Sequence, residues 1–342
     1  MISGGATGGH ITPALAVAQA LRAEEPDAAI LLVGKRGGPE ERQVPEAGFD
    51  LETVRVQGFD RDAPWRNLAL PFVLPGALAE GRRIVRDFRP DVVLGTGGYV
   101  MVPALSAARR AGVPYVLLVS EPRGLANRLF YRRSAAACLS LPDRHGRVRS
   151  KRVEVTGFPL RPGFRPASPA APPRRLLVLG GSLGARNLNR AVWGALEGLL
   201  QRFDEVVHVA GRQAEADLPG YQRPGYRGML FTDEMQELMA AADLVVSRAG
   251  VGTISEITAC GLPAVLVPGT FAGAHQEDNA ALLAAEGAAI RVGDSELTPA
   301  RLLEVLDSLT PDQLRAMAAA SGRLGKPDAA QRVVQVLREV AA

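Results

Sequence analysis

Cysteine, lysine and aromatic side chains are scarce in this 342-residue sequence: two cysteines, three lysines (Lys35, Lys151 and Lys326) and 5% aromatics. The two cysteines, Cys138 and Cys260, cannot make a disulfide framework, so a reducing cytoplasm is expected and neither thiol is given a chemical role. Long hydrophobic runs are missing too. The longest, 68–79 and 99–108, fall short of the ~20 residues that span a bilayer, and the first holds Pro71 and Pro75. No apolar signal segment opens the chain, because a glycine-rich loop begins by residue 4. Only residues 1–3 precede that loop as a first strand, which leaves a native start upstream open. With lysine so rare, the arginine excess reads as genome composition, and no nucleic-acid partner is expected.

What is present is 47% apolar and 22% charged residues, with 37 glycines and 25 prolines. That composition is globular, and the length suggests two domains. The net charge of +4 is unevenly shared: residues 1–161 hold 23 Lys/Arg against 16 Asp/Glu, the remainder 17 against 20. A basic half beside an acidic one suggests different partners for the two. Five prolines in the thirteen positions 162–174 can continue neither a helix nor a central strand, so this stretch is expected to link an N-terminal domain, 1–161, to a C-terminal domain, 175–342. The last helix is left free to pack back on the first domain.

Each half opens with a strand, a glycine-rich turn and a helix. The first is 1–3, then 4–9, then a helix with Thr12-Pro13 as N-cap and first-turn proline; the second is 175–179, then 180–184, then a helix from about Ala185. Continuous apolar runs at 28–33, 92–94, 115–119, 206–209, 244–247 and 264–268 alternate with helical stretches, the mark of parallel strands covered on both faces. The fold class expected is therefore α/β, two doubly wound Rossmann-like parallel-sheet domains facing an interdomain cleft.

In such sheets ligands bind beyond the carboxyl ends of strands, and five conspicuous loops fall there. They are Gly4-Gly-Ala-Thr-Gly-Gly-His10, Gly95-Thr-Gly-Gly-Tyr99, Gly180-Gly-Ser-Leu-Gly184, His208-Val-Ala-Gly211 and Ser247-Arg-Ala-Gly-Val-Gly252. Glycines let backbone approach a phosphate at a helix N-terminus, although any one of them could serve only a tight turn. None spells G-x-G-x-x-G, the second strand runs into Gly34-Lys35-Arg36 rather than an acidic residue, and no G-K-[ST] occurs. Nicotinamide and ATP-hydrolase readings weaken accordingly. In 249–256, Thr253-x-x-Glu256 fits a capping box, and the same helix start could hold a nucleoside diphosphate with Glu256 on the ribose. His10 reads either as a general base or as a side chain closing a helix start. His208 and His275 also fall in or beside strand-end loops, whereas His145 lies in an arginine-rich, exposed loop.

Across nearly the whole chain these residues resemble the MurG family of bacterial transferases, which add N-acetylglucosamine to lipid I to make lipid II. The matching pieces are Gly5-x-Thr-Gly-Gly-His10 with Pro13, Gly95-x-Gly-Gly-Tyr-Val100 with Pro103, Thr156-Gly-x-Pro-x-Arg161 and Gly180-Gly-Ser-x-Gly-Ala-Arg186 with Asn189. Further on come Phe231-x-Asp-x-Met235, Ser247-Arg-x-Gly250, Thr253-x-Ser-Glu256, Gly261-Leu-Pro263 and His275-Gln276-x-x-Asn279. Each is weak alone; in this order and spacing the set is specific.

The resemblance implies a GT-B fold and an inverting hexosyl transfer from UDP-N-acetylglucosamine, with no metal or other cofactor required. By the same analogy the C-terminal half binds the donor: Phe231 and Thr232 border the uracil, Glu256 holds the ribose and Gln276 the sugar, with His275 and Asn279 beside it. Ser182, Arg161 and the stretch Val251, Gly252, Thr253, Ile254 and Ser255 face the diphosphate. Arg161 would fork onto phosphate, although a surface arginine is the plainer reading. On the acceptor side stand Thr7, Gly8, Gly9, Asn127 and Glu121, with His10 as candidate base. The chain departs from the family at Ser120-Glu121-Pro122-Arg123-Gly124-Leu-Ala-Asn127, about three residues shorter than usual and lacking the polar Gln-Asn pair. Ala6, Phe158, Leu183 and Ala249 also replace polar residues or glycine.

Lipid I is a membrane lipid, so a peripheral position on the cytoplasmic face of the cell membrane, a role in cell shape and division, and an anionic membrane surface as partner are implied. The apolar stretch 65–75, flanked by Arg61, Arg66, Arg82, Arg83 and Arg86, suits such a surface; a buried segment with solvated arginines is the alternative, and the basic charge of this half favours the membrane. Three other functions remain compatible: a GT-B transferase with another acceptor, a UDP-N-acetylglucosamine 2-epimerase, and a non-catalytic UDP-sugar-binding protein.

Overall fold

A computed structural model describes residues 1–58, 65, 68, 70–181, 184–269 and 275–342. The chain divides into two compact units, Met1–Pro162 with Pro327–Ala342, and Gly163–Lys326.

The first unit is a parallel seven-stranded sheet in the order β3-β2-β1-β4-β5-β6-β7. Its strands are β1 (Ile2–Gly4), β2 (Leu31–Lys35), β3 (Asp50–Val54), β4 (Val93–Gly97), β5 (Tyr115–Val119), β6 (Ala136–Leu139) and β7 (Val153–Val155). Between them run α1 (Gly8–Glu24), α2 (Glu40–Glu46), α3 (Leu70–Phe88), α4 (Met101–Ala111) and α5 (Leu125–Phe130). The second unit is a parallel six-stranded sheet in the order β10-β9-β8-β11-β12-β13. These are β8 (Arg175–Leu179), β9 (Glu205–Val209), β10 (Tyr226–Met229), β11 (Leu244–Ser247), β12 (Ala264–Leu266) and β13 (Ala289–Arg291). Its helices are α6 (Arg186–Gly194), α7 (Leu196–Leu200), α8 (Met235–Ala241), α9 (Val251–Cys260), α10 (His275–Ala285), α11 (Pro299–Asp307) and α12 (Pro311–Leu324).

The central strands are buried along their whole length, Tyr115–Val119 and Leu244–Ser247 among them, because helices cover both faces. Both sheets reverse direction of winding at their first strand. The switch lies between β1 and β4 in one unit and between β8 and β11 in the other, where the loops diverge and leave a crevice.

One expected boundary moves. The proline-rich stretch is not a free linker: Asp243, 8% exposed, accepts the N–H groups of Ala170 at 2.7 Å and of Arg174 and Arg175 at 2.9 Å, and Ala167 N–H donates to Cys260 O at 2.8 Å. A buried carboxylate with three donors fastens the stretch to the second unit. At the other end, 327–342 packs back on the first unit, as the sequence left open for the last helix. Here α13 (Ala329–Ala341) lays Val333, Val334 and Leu337 on Ala14, Val17 and Ala18 of α1 in the first core, and Arg338 pairs with Glu24 at 2.7 Å. An amphipathic helix joins the apolar face that will bury it, whichever domain precedes it in the chain.

Candidate active site

At the β1–β4 switch the 4–10 turn leads into α1. The helix does not start at Thr12-Pro13. Thr7, extended at φ −141° and ψ 153°, is the N-cap, and its carbonyl takes the N–H groups of His10 and Ile11 at 3.0 and 3.1 Å. Pro13 sits inside the helix, where it leaves the Gly9 carbonyl without its usual donor. The Thr7 hydroxyl makes no capping bond and lies 2.9 Å from His10 Nδ1 instead.

Beneath His10, Gly97 (φ 113°) brings the end of β4 so close that a Cβ there would lie 2.6 Å from Nε2. Thr96 Oγ1 donates to the His10 carbonyl at 3.0 Å. The ring is therefore held from Thr7 on one side and by the glycines of the β4 loop on another. Burial lowers its pKa, against the opposing charge of Glu121, so the imidazole is neutral at pH 7. In the tautomer whose Nδ1–H donates to Thr7, Nε2 is left to accept a proton. Gly8 and Gly9 are exposed, and among the described residues no atom lies within 4 Å of a Cβ at Gly8, so packing there does not demand glycine.

Glu121 is exposed just beyond β5. Asn127 is buried under the shortened loop: its Nδ2 donates to the Glu121 carbonyl at 3.2 Å, and its Oδ1 finds no partner among the described residues. With Tyr131 OH donating to Pro122 O at 3.0 Å, this fastens the loop from within. Arg161 lies in the first unit, partly exposed.

The β8–β11 switch carries the second cluster. Ser182 and Leu183 lie outside the described residues. Gly180 and Gly184 answer a packing demand, since a Cβ on either would come within 2.9 and 2.8 Å of the Ala210 carbonyl. Gly250 does not: among the described residues nothing lies within 4 Å of its Cβ position, and it is the N-cap of α9 with no side chain to cap it. The expected capping box is absent, because Thr253 is already the third residue of α9 and Glu256 the sixth. A box needs its threonine at the cap. Val251, Gly252, Thr253, Ile254 and Ser255 thus form a first turn without side-chain capping among the described residues, a positive helix end at the crevice.

Around this turn, Asn279 Nδ2 donates to Ala249 O at 2.9 Å, and Gln276 Oε1 accepts the Gly269 N–H at 2.8 Å. His275 opens α10. Phe231, beyond β10, is 60% exposed, and Thr232 Oγ1 accepts the Glu234 N–H at 3.0 Å. Glu256 is half-buried on α9.

His208 leaves the set of strand-end histidines. It is fully buried within β9, its pKa pushed down to about 3 by burial. Trp193 Nε1 donates to Tyr226 OH (2.9 Å), which lies 3.0 Å from His208 Nδ1; Nε2 lies 3.1 Å from Asn189 Oδ1. Asn189 Nδ2 in turn donates to Ala210 O at 3.0 Å, the carbonyl under the 180–184 turn. Arg248 was not given a role by the sequence. Its largely buried guanidinium reaches Val267 O at 3.1 Å and Asp294 Oδ1 at 2.6 Å, tying the β11 loop to its neighbours. No sequence signal marks either linkage, since each joins residues far apart in the chain.

The described residues of the apolar segment in the first unit are largely exposed. Helix α3 takes Pro71 into its first turn and runs through Pro75, and Trp65, Leu68, Phe72 and Leu74 are exposed, Phe72 by 85%. Arg83 pairs with Glu52 at 2.8 Å and Arg86 with Asp87 at 2.9 Å, both at the surface; Arg61 and Arg66 lie outside the described residues. Among the described residues no helix is long and apolar enough to cross a membrane, and no group of three His, Cys, Asp or Glu is placed to hold a metal ion.

Residues 1–135 match the glycosyltransferase family 28 N-terminal domain, and 175–333 the corresponding C-terminal domain. A protein of Clavibacter michiganensis is 39% identical over 100% of this chain and 96% of its own length; one of Moorella thermoacetica is 38% identical over 98% and 97%. Both are named UDP-N-acetylglucosamine--N-acetylmuramyl-(pentapeptide) pyrophosphoryl-undecaprenol N-acetylglucosamine transferase. Among solved structures, Acinetobacter baumannii MurG superposes with a TM-score of 0.78 at 29% identity, covering 99% of this chain and 98% of that one. The glycosyltransferase of kitacinnamycin, at 20% identity and a TM-score of 0.70 with 98% of each chain covered, shares the fold.

Proposed function

Because the chain belongs to the MurG family within glycosyltransferase family 28, we propose that it moves N-acetylglucosamine from UDP-N-acetylglucosamine to the MurNAc 4-hydroxyl of lipid I, forming lipid II for peptidoglycan. It is an N-acetylglucosaminyltransferase of GT-B architecture. The observation that carries the assignment is similarity over the full length of relatives bearing that activity in their names.

The chemistry follows from the two loop clusters. On the first unit, His10 Nε2 takes the proton of the acceptor 4-hydroxyl as that oxygen attacks the anomeric carbon of the donor sugar. The bond from that carbon to the β-phosphate oxygen breaks, UDP leaves with the electron pair, and the anomeric configuration inverts. On the second unit, the first turn of α9 meets the diphosphate with N–H groups and a positive dipole end, and Arg161, which belongs to the first unit, adds a guanidinium for the developing charge. This route needs no metal. Exposed Phe231 offers a face for the uracil, Glu256 an acceptor for the ribose hydroxyls, and Gln276 an amide for the sugar.

The exposed apolar residues at 65–74 with Arg82, Arg83 and Arg86 would rest on the anionic cytoplasmic face of the membrane, where lipid I is presented. UDP release from UDP-N-acetylglucosamine, with and without a soluble lipid I analogue, tests the assignment. Release that depends on the analogue and is absent with UDP-glucose is expected. Donor binding with no acceptor-dependent release would refute lipid I as acceptor and put the altered 120–127 loop in question.

A further inference from the structure

Glu40 opens a surface helix, the usual place for a solvated carboxylate, and yet it is only 1% exposed. Its Oε1 accepts the backbone N–H of Ala6, across 34 positions of sequence. Its Oε2 is buried with no partner among the described residues. Two turns are shaped around it. A Cβ at Gly34 would lie 2.8 Å from Glu40 Cβ, and Cβ atoms at Gly5 and Gly38 would collide with its carboxylate oxygens.

Burying a carboxylate with one of its oxygens unsatisfied is unfavourable, so an aliphatic residue would serve packing better. What the carboxylate uniquely supplies is an acceptor for Ala6. That residue stands at φ 69°, in the left-handed region that a side chain rarely adopts. It directly precedes Thr7, whose hydroxyl meets His10 Nδ1.

We propose that Glu40 is a positioning residue for the transfer: its bond to Ala6 locks the left-handed turn that sets Thr7 and His10 in place. This rests on the reading of His10 as general base. Glu40 itself touches neither substrate.

The test is steady-state UDP release by Glu40→Ala, Glu40→Gln and Glu40→Asp, each alone and in a His10→Ala background, with the unfolding midpoint of every variant recorded. Glu40→Ala is expected to lower kcat about 10- to 100-fold, the scale of a misplaced catalytic group, with donor KM within about twofold. Glu40→Gln keeps an oxygen that can accept from Ala6 and should recover kcat to within about fivefold, whereas Glu40→Asp, one methylene short, should not. In the His10→Ala background the Glu40 substitutions should have no further effect on kcat. If Glu40→Ala does not fold, the Gln and Asp variants carry the same comparison. An unchanged kcat in the Asp and Ala variants, a Gln variant as slow as Asp, or effects that multiply with His10→Ala would each overturn the proposal. The two readings fail separately: an active His10→Ala enzyme removes the base, and with it the route from Glu40, whereas a slow His10→Ala beside an unimpaired Glu40→Ala removes only the inference.

Discussion

His208 makes acid the weak side of the second unit, by an amount that can be worked out. Its imidazole is fully buried and titrates at about 3, against 6.5 for an unperturbed histidine. Between those values the unfolded chain binds more protons than the native one, so stability falls as pH drops through 6.5. At pH 7 the unfolded imidazole is about one-quarter protonated, at pH 5 nearly fully, while the native ring stays neutral. Integrating that difference gives about 2 kcal/mol lost between pH 7 and pH 5 from this residue alone. His208→Gln removes the titration, and although it weakens the network at every pH, its loss between pH 7 and pH 5 should be about 2 kcal/mol smaller. Trp193 provides the readout, being nearly buried, bonded to Tyr226 and stacked on Tyr221 at 4.4 Å. The other tryptophan, Trp65, is 69% exposed, and Trp65→Phe leaves Trp193 as the only tryptophan, excited selectively above the tyrosine band. Urea unfolding followed by fluorescence in this background, at both pH values, measures the difference. Equal losses in the parent and His208→Gln would refute a neutral buried histidine.

His10→Ala should lower kcat by about 10²–10⁴ with donor KM nearly unchanged, and a fully active variant would remove His10 from the reaction. Because burial lowers its pKa, the base is lost only as pH falls below the ordinary histidine value, so the acid limb of kcat/KM should have its midpoint below 6.5. Glu256→Ala should weaken UDP and UDP-N-acetylglucosamine alike in calorimetric titration, and unaltered UDP affinity would take Glu256 out of the donor site. Changing Arg82, Arg83 and Arg86 together to Ser should reduce sedimentation with vesicles containing anionic lipid, by roughly 1 kcal/mol per charge at most since Arg83 and Arg86 already face carboxylates. Undiminished binding would discard that surface.

Some of the fold could be read to the residue. The strands 115–119, 175–179 and 244–247 stand where continuous apolar runs predict them, because a strand buried on both faces has no other composition available. The start near Ala185 holds, since Ala185 caps α6, whereas two other helix starts could not be read. Thr12-Pro13 and Thr253-x-x-Glu256 both carry capping chemistry, yet α1 begins at Gly8 and α9 at Val251. A local motif states only that a helix could begin there, whereas tertiary packing at the crevice decides where it does. The proline-rich stretch misled for a similar reason, since nothing near 162–174 announces that Asp243 will bind its backbone.

By itself the sequence determined the two α/β units, the glycine loops at their strand ends, the family and the residue types on offer, all of which are properties of neighbouring positions. Tertiary structure decided which of those residues face a crevice. It buried His208 in a hydrogen-bonded chain while leaving His10 on a turn, and it turned Glu40 inward to Ala6. It also carried α13 back to α1 across more than 300 positions. Such pairings depend on contacts between distant segments, and their free energy exists only once both segments are folded, so no local pattern records them.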